Sequence, residues 1–350
     1  MPAKTMKAMV LVAKEKLELQ ERPVPEPDEG EVLVRVRAVG VCGSDVHWFQ
    51  HMHMGNRRVE APLVLGHEFS GEVVQLGRGV SGIREWSRVA VEPGVPCGHC
   101  RVCRQGRYNL CESVRFCGTP PADGAYCEYY ASPATFVHAV PESMSFPAAA
   151  MAEPMSCAVH AVRLSGLAAG DSVAILGAGP IGLSILQAAR AVGATRIVVT
   201  DLLPERLAKA TALGTDAAIH VAGADRAEVV RRVKAALPDG GADVVFEAAG
   251  VPETYDQAVH IAAPGATYCQ VGIASEPVAL DWHTARWKEL TIKVSLRMCH
   301  DFPRTISLAQ AGKVDLEALV THRFPLEKLP EAFKLVASYG DGVIRAVIEP

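Results

Sequence analysis

The pattern of apolar and polar positions changes character near the middle of the chain. Over roughly the first 150 residues the apolar runs are short: Val32–Val36 alternates with arginines, Phe69–Val74 follows a His-Glu pair, and Gly77, Gly79 and Gly82 punctuate what comes next. That spacing predicts short strands joined by turns, with little of helical period. From about Glu153 onward strands and helices alternate. Val173–Leu176 is a compact apolar strand. Pro180–Val192 places Ile181, Leu183, Ile185, Leu186, Ala189 and Val192 on one helical face, and Arg196–Thr200 is again a strand, ending at Asp201. A helix over Pro204–Leu213, a strand over Ala217–His220, a helix over Arg226–Ala236, a strand over Asp243–Glu247 and a helix over Pro252–Ile261 follow. Two further strands, Thr267–Val271 and Thr291–Ser295, complete the series. Such alternation predicts an α/β fold with a doubly wound parallel sheet and right-handed crossovers. Beyond residue 295 the pattern loosens into a helix over Pro303–Gln310 and a β-type tail over Gly342–Ile348, placed to return to the first lobe.

Length and composition narrow the class. At 350 residues the chain exceeds a usual single core, which predicts two domains. Apolar residues make up 49% and charged residues 21%, which is globular rather than disordered. A net charge of −4 without a long block of one sign leaves no footprint for nucleic acid or a membrane surface. The uncharged stretch from Ser172 to Ala189 is long enough to span a bilayer, but Gly177, Gly179, Pro180 and Gly182 interrupt it. The apolar run ending at Val12 is too short for a secretory leader, so the ten cysteines read as reduced thiols and metal ligands in a cytoplasm.

Four of those cysteines carry the clearest chemistry. Cys97, Cys100, Cys103 and Cys111 are spaced C-x2-C-x2-C-x7-C. Two-residue gaps let thiolates converge on one tetrahedral ion, and a closed four-sulfur shell has no open position for chemistry. The expectation is a structural zinc. A disulfide cluster and an iron–sulfur site are the alternatives, and the bacterial ferredoxin spacing with its trailing proline is not present.

A second motif follows the Val173–Leu176 strand. Gly177-Ala-Gly179-Pro180-Ile181-Gly182 opens the next helix, where glycines permit a tight turn, close approach to a pyrophosphate and tight helix packing. Asp201 stands nineteen residues past Gly182, at the end of the second strand. A carboxylate there accepts hydrogen bonds from ribose hydroxyls and repels a 2′-phosphate, which favours NAD over NADP; Arg206 pulls the other way. Cys42-Gly-Ser44-Asp45-Val46-His47, Gly66-His67-Glu68 and Glu153-Pro154 add one thiolate, one imidazole and two carboxylates, the donor set of an open catalytic zinc. Taken singly, each of these residues has a plain reading as a buried or solvated side chain.

Together these motifs resemble the zinc-dependent medium-chain alcohol dehydrogenases, and within them the sorbitol and polyol dehydrogenase branch. Arg107-Tyr-Asn-Leu, Phe116-Cys-Gly-Thr119-Pro-Pro-Ala-Asp-Gly124 and Leu319 through Lys328 extend the likeness over nearly the whole chain. The resemblance implies a mainly β GroES-like catalytic domain over 1–152 and 296–350, and an NAD-binding Rossmann domain over 153–295. It implies a catalytic zinc on Cys42, His67 and either Glu68 or Glu153, and a structural zinc on the four clustered cysteines. It implies that Ser44 and His47 carry the alcohol proton away, and that Trp48, Phe116, Thr119, Glu153 and Arg297 line a substrate cleft between the lobes. Cofactor contacts would come from Gly177, Gly179, Pro180, Ile181, Gly182, Asp201, Arg206, Val271 and Arg297. The implied activity is NAD-dependent oxidation of a secondary hydroxyl of a polyol to a ketose, of the L-iditol/sorbitol 2-dehydrogenase type, by a dimer or tetramer. The alternatives are another secondary alcohol (2,3-butanediol, L-threonine or an aldonate) and a non-enzymatic nucleotide-binding protein. The chain departs from the family's usual pattern at Trp86-Ser87, where a Gly-Asp turn is common, and at Met298, where tyrosine is frequent in the polyol branch. His51-Met52-His53-Met54 lacks the spacing of a helical metal motif and reads as an irregular loop.

Overall fold

The computed structural model describes residues 4–55, 57–60, 62–274 and 276–350. The chain forms two compact units. One runs through Glu153 and resumes at Leu316–Pro350; the other is Pro154–Asp315.

The first unit is mainly β. Its larger sheet runs Val137–Ala139, Arg88–Val91, Glu68–Leu76, Glu31–Gly40, Arg345–Glu349 and Val320–Pro325, with Tyr129–Pro133 also paired to Glu31–Gly40. Glu31–Gly40 is longer than the arginine alternation predicted, because its second half, Ala38–Gly40, is buried on both faces and loses the period of two. Register in this sheet is what matters for chemistry. Gly40 lies opposite Glu68 on one side and beside Val347 on the other. The chain tail therefore does return to this unit, and it delivers Arg345 to the end of the strand that leads into Cys42. Val34, Val36, Val39, Phe69, Val73, Tyr126, Phe333 and Ile348 form the buried core behind that edge.

A nine-residue helix, Gly43–His51, interrupts the β texture and was not foreseen from the pattern. Its apolar positions are few, so its period is weak. Its start is set instead by Asp45, whose carboxylate accepts the Cys42 backbone N–H at 3.2 Å. At the Trp86-Ser87 departure, Trp86 takes up φ +69° and is 69% exposed. The turn keeps a left-handed residue and tolerates the strain of a side chain there.

The second unit is a six-stranded parallel sheet in the order Ala217–His220, Arg196–Asp201, Ser172–Leu176, Ala242–Glu247, Ala262–Gln270 and Thr291–Val294. This is the doubly wound topology expected from the alternating pattern, and its order reverses between Ser172–Leu176 and Ala242–Glu247. The helices Pro180–Val192 and Pro252–Ile261 match the expected bounds. One boundary is corrected. Residues 296–315, expected with the first lobe, belong to the second unit. The helix Phe302–Gln310 is tied to the helix Ala152–Ser165 by the Ser156–Thr305 hydroxyl pair at 2.9 Å. Asp301, just ahead of it, accepts from His160 at 3.0 Å and from Arg163 at 2.8 Å. Those long-range polar contacts are invisible in a local apolar pattern.

Candidate active site

Cys97, Cys100, Cys103 and Cys111 converge on one point. Cys100 Sγ lies 3.4 Å from Cys103 Sγ and 4.0 Å from Cys111 Sγ, and Cys97 Sγ is 4.0 Å from Cys103 Sγ. A tetrahedral zinc bonded at about 2.3 Å sets its sulfurs about 3.8 Å apart, so the cage fits that ion. All four are free thiols, and separations of this size exclude a disulfide pairing. Backbone N–H groups of His99 and Cys100 lower the Cys97 thiol to about 6, while burial and the Cys100 side chain push Cys103 up to about 12, so without an ion the cage shares its protons unevenly and a metal must displace the rest.

The second group gathers at the end of the Glu31–Gly40 strand. One ligand atom each from Cys42, His67 and Glu68 lie within 4.8 Å of one another. Cys42 is the residue before the Gly43–His51 helix, and His67 and Glu68 stand where the paired strand begins. Glu68 is 1% exposed, and its Oε1 meets the Arg345 guanidinium at 3.1 Å. Its Oε2 is buried with no hydrogen-bond partner among the described residues. A buried carboxylate oxygen left in that state is costly, and a cation satisfies it. The donor set and the orphaned oxygen both fit a zinc ion. Gly40 makes the approach possible: a Cβ built there would sit 2.2 Å from Glu68 Oε2.

Two residues to which the sequence assigns no role, Asp45 inside the Cys42–His47 motif and Arg345 in the tail, support this cluster. Asp45 is fully buried; its Oδ1 lies 3.4 Å from His67 Nδ1 and accepts the Gly66 N–H at 3.1 Å. Its Oδ2 accepts from the Cys42 N–H and from the Tyr126 hydroxyl. A carboxylate behind a ligating imidazole fixes its tautomer and raises its basicity. Burial alone would lower His67, but the Asp45 and Cys42 charges outweigh it and push it well above its ordinary value. Arg345 is 3% exposed and donates to the Val41 carbonyl at 2.7 Å. The sequence carries a signal for Arg345 after all: it is the lone cation inside an apolar tail strand.

The remaining expected residues of this unit divide. Glu153 is buried nearby but does not join the Cys42–His67–Glu68 cluster. Burial, reinforced by Glu68 and Asp45 and opposed by His67 and Arg345, pushes its carboxyl up to about 7. Ser44 and His47 are half-buried, three residues apart on the Gly43–His51 helix, and so share a face. Burial and the neighbouring His51 and His53 rings lower His47, with the His53 backbone opposing. The Phe116 ring centroid is 5.4 Å from that of His67, and Thr119 is held by its N–H to the Phe116 carbonyl. Trp48, expected beside the substrate, is only 3% exposed and is packed into the core of this unit.

In the second unit the expected cofactor residues occupy the carboxyl ends of the parallel strands. Gly177 has φ +102°, and a Cβ at Gly182 would lie 1.8 Å from the Gly177 carbonyl oxygen. Gly179 precedes the helix that Pro180 and Ile181 begin, and the Arg206 guanidinium lies within 3.7 Å of where a Gly179 Cβ would stand. Asp201 ties the loop to its strand: Oδ2 accepts the Ala178 N–H at 2.7 Å and Oδ1 the Leu203 N–H at 2.9 Å. Val271 follows the Ala262–Gln270 strand, and Arg297, at φ +57°, follows Thr291–Val294.

A parallel sheet with a glycine loop at its switch point, in a chain whose β unit holds a closed thiolate cage and an open Cys-His-Glu cluster, defines a zinc-binding dehydrogenase. Residues 28–142 match the alcohol dehydrogenase GroES-like domain, and residues 180–311 match the zinc-binding dehydrogenase domain. The chain is 41% identical to the sorbitol dehydrogenase of Bos taurus over 318 residues, 91% of this chain and 89% of that protein. A structure called a short chain alcohol dehydrogenase from Escherichia coli CFT073, complexed with NADH, superposes at TM-score 0.91 with 32% identity, covering 99% of this chain and all of the other. The 2R,3R-butanediol dehydrogenase of Bacillus subtilis gives TM-score 0.88 and 32% identity, covering 99% of each chain. The chain belongs to the zinc-dependent medium-chain alcohol dehydrogenase family, in its sorbitol dehydrogenase branch.

Proposed function

We propose that this protein oxidises a secondary hydroxyl of a polyol such as sorbitol or xylitol to a ketone, passing the hydride to NAD. The observation that carries the reading is the Cys42–His67–Glu68 cluster with the unpartnered Glu68 oxygen, in a chain 41% identical to a sorbitol dehydrogenase. Cys42, His67 and Glu68 would hold the catalytic ion, and the four clustered cysteines the structural one. The zinc supplies Lewis acidity that lets a bound hydroxyl lose its proton near neutral pH, and NAD supplies the hydride acceptor. The protein's own groups do the rest. Asp45 holds the His67 ring in its ligating orientation, and Arg345 offsets the charge of Glu68 so that thiolate and carboxylate coexist in a buried site. Ser44 and His47, on one face of their helix, take the proton outward; His47 is held neutral and so can accept it. Glu153, at about 7, offers either an acceptor or a donor to a neighbouring hydroxyl, which suits a polyhydroxylated substrate better than an apolar one. Phe116 closes the apolar side of the site.

For the cofactor, the glycine loop receives the pyrophosphate and Asp201 the ribose hydroxyls, with Val271 and Arg297 toward the nicotinamide end. Asp201 already accepts two backbone N–H groups, which fixes its carboxylate for that role and keeps NAD ahead of NADP despite Arg206. We assign the protein to the cytoplasm; among the described residues no helix is long and apolar enough to cross a membrane. A homo-oligomer, dimer or tetramer, is supported by the exposed Trp287, Val294 and Ile273 around the outermost strand of the second unit. NADH formation on sorbitol, xylitol, ribitol, 2,3-butanediol and L-threonine, with and without a zinc chelator, tests the reading. Chelator-sensitive turnover of the sugar alcohols is expected. Turnover confined to butanediol or threonine would discard the polyol assignment while keeping the chemistry.

A further inference from the structure

We propose that His47, His51 and His53 form a third metal site, one that takes a borderline divalent ion such as Zn²⁺ or Ni²⁺ and blocks the proton path when filled. The blocking role rests on the reading of His47 as the proton carrier; the site itself does not. His47 and His51 are four residues apart on the Gly43–His51 helix, the spacing that sets two imidazoles on one face. Met52 then takes the left-handed conformation at φ +59° and turns the chain back, so that His53 rejoins the same group. The ring centroids are 4.5 Å apart for His47 and His51, and 6.3 Å from His53 to each of the others. Imidazoles bonded to one ion at about 2.0–2.1 Å have centroids on the order of 5 Å apart. The ring nitrogens do not all lie within 4.8 Å of one another as the rings stand, so the rings must rotate and His53 must move inward to close the cage.

Those rotations are available. His51 and His53 are exposed, and among the described residues no hydrogen bond or ion pair holds either ring. The His53 backbone lies close enough to raise His47, and an imidazole engaged through one nitrogen keeps the other for a metal. Three neutral imidazoles select zinc, nickel or copper over magnesium or calcium. The Arg57 and Arg58 strand pairs with His53 and Met54, and its charge keeps affinity below that of the thiolate cage. A filled site occupies the His47 nitrogen that would otherwise accept a proton, so excess metal inhibits.

The test titrates the zinc-replete protein with Ni²⁺ and then Zn²⁺, reading bound metal by equilibrium dialysis and turnover by NADH formation. The wild type is expected to take up one further ion per chain and to lose activity in step. His51→Gln and His53→Gln leave in place the burial that chiefly lowers His47, so they should keep basal turnover and weaken that uptake about tenfold or more. Equal uptake by the wild type and the double variant overturns the site. Uptake that depends on both histidines but leaves wild-type turnover unchanged overturns the inhibitory role and the proton-carrier reading of His47, with the site retained.

Discussion

Replacing Gly40 by alanine tests the link between strand register and catalysis. The new methyl would stand 2.2 Å from Glu68 Oε2, 2.8 Å from Met151 Cε and 3.2 Å from Glu68 Cβ. Real Cβ contacts essentially never fall below 3.0 Å, so something must move by at least about 0.8 Å. Met151 can yield, because the contact is with the end of a flexible chain. Glu68 cannot yield cheaply: its backbone is paired opposite Gly40, its Oε1 is held by Arg345, and its side chain is 1% exposed. The closest contact is nonetheless with the carboxylate oxygen itself, so the carboxylate is displaced from its place in the cluster at that cost. A misplacement of about 1 Å at a reacting centre costs on the order of 100-fold in rate, and overpacking a core costs about 1–3 kcal/mol in stability. Expected outcomes are a kcat on the sugar alcohol reduced about 100-fold, loss of one of two bound zinc ions on gentle dialysis, and a lowered denaturant midpoint. Gly43→Ala is the control. Nothing lies within 4 Å of its added methyl, so activity and zinc content should stay at wild-type levels. A Gly40→Ala protein with wild-type kcat and full zinc would refute the claim that Glu68 is positioned through this contact.

Three further outcomes follow from the same geometry. Arg345→Met leaves the buried Glu68 charge uncompensated and should cost about 3–5 kcal/mol in urea unfolding of the metal-free protein, much of it regained when Glu68→Gln is added; a loss below about 1 kcal/mol would show the pair to be solvated. Gly182→Ala drives a methyl to 1.8 Å from the Gly177 carbonyl and should abolish NADH binding, read by fluorescence, while both zinc sites stay loaded. Glu153 has a folded pKa raised from 4.5 to about 7, so the folded state binds the extra proton between those values. Stability of the metal-free wild type should fall as pH rises from about 4.5 to 7, by up to about 3 kcal/mol, and Glu153→Gln should remove that slope. A slope unchanged in the variant would assign the titration to another group.

Much of the second unit was legible locally. A fully buried parallel strand, Ser172–Leu176, reads as an unbroken apolar run, and the helices after it carry a strong period because one face packs on the sheet. The thiolate cage was equally legible, since four sulfurs within fifteen residues need no distant partner. The Gly43–His51 helix was missed because a cap at Asp45, rather than amphipathicity, defines it.

The sequence by itself determined the donor types: a thiolate at Cys42, an imidazole at His67, carboxylates at Glu68 and Glu153, and the glycine loop at Gly177–Gly182. Which carboxylate joins Cys42 and His67 was a question only the tertiary structure decided. Glu68 does so because antiparallel register sets it opposite Gly40, whose missing side chain admits the carboxylate, while Glu153, in the first turn of the Ala152–Ser165 helix, stays out of the cluster. Arg345 and Asp45 entered the site in the same way, one from the last strand of the chain and one from the turn of a short helix. No local pattern encodes these neighbours, because burial in a common low-dielectric pocket, rather than proximity along the chain, couples their charges.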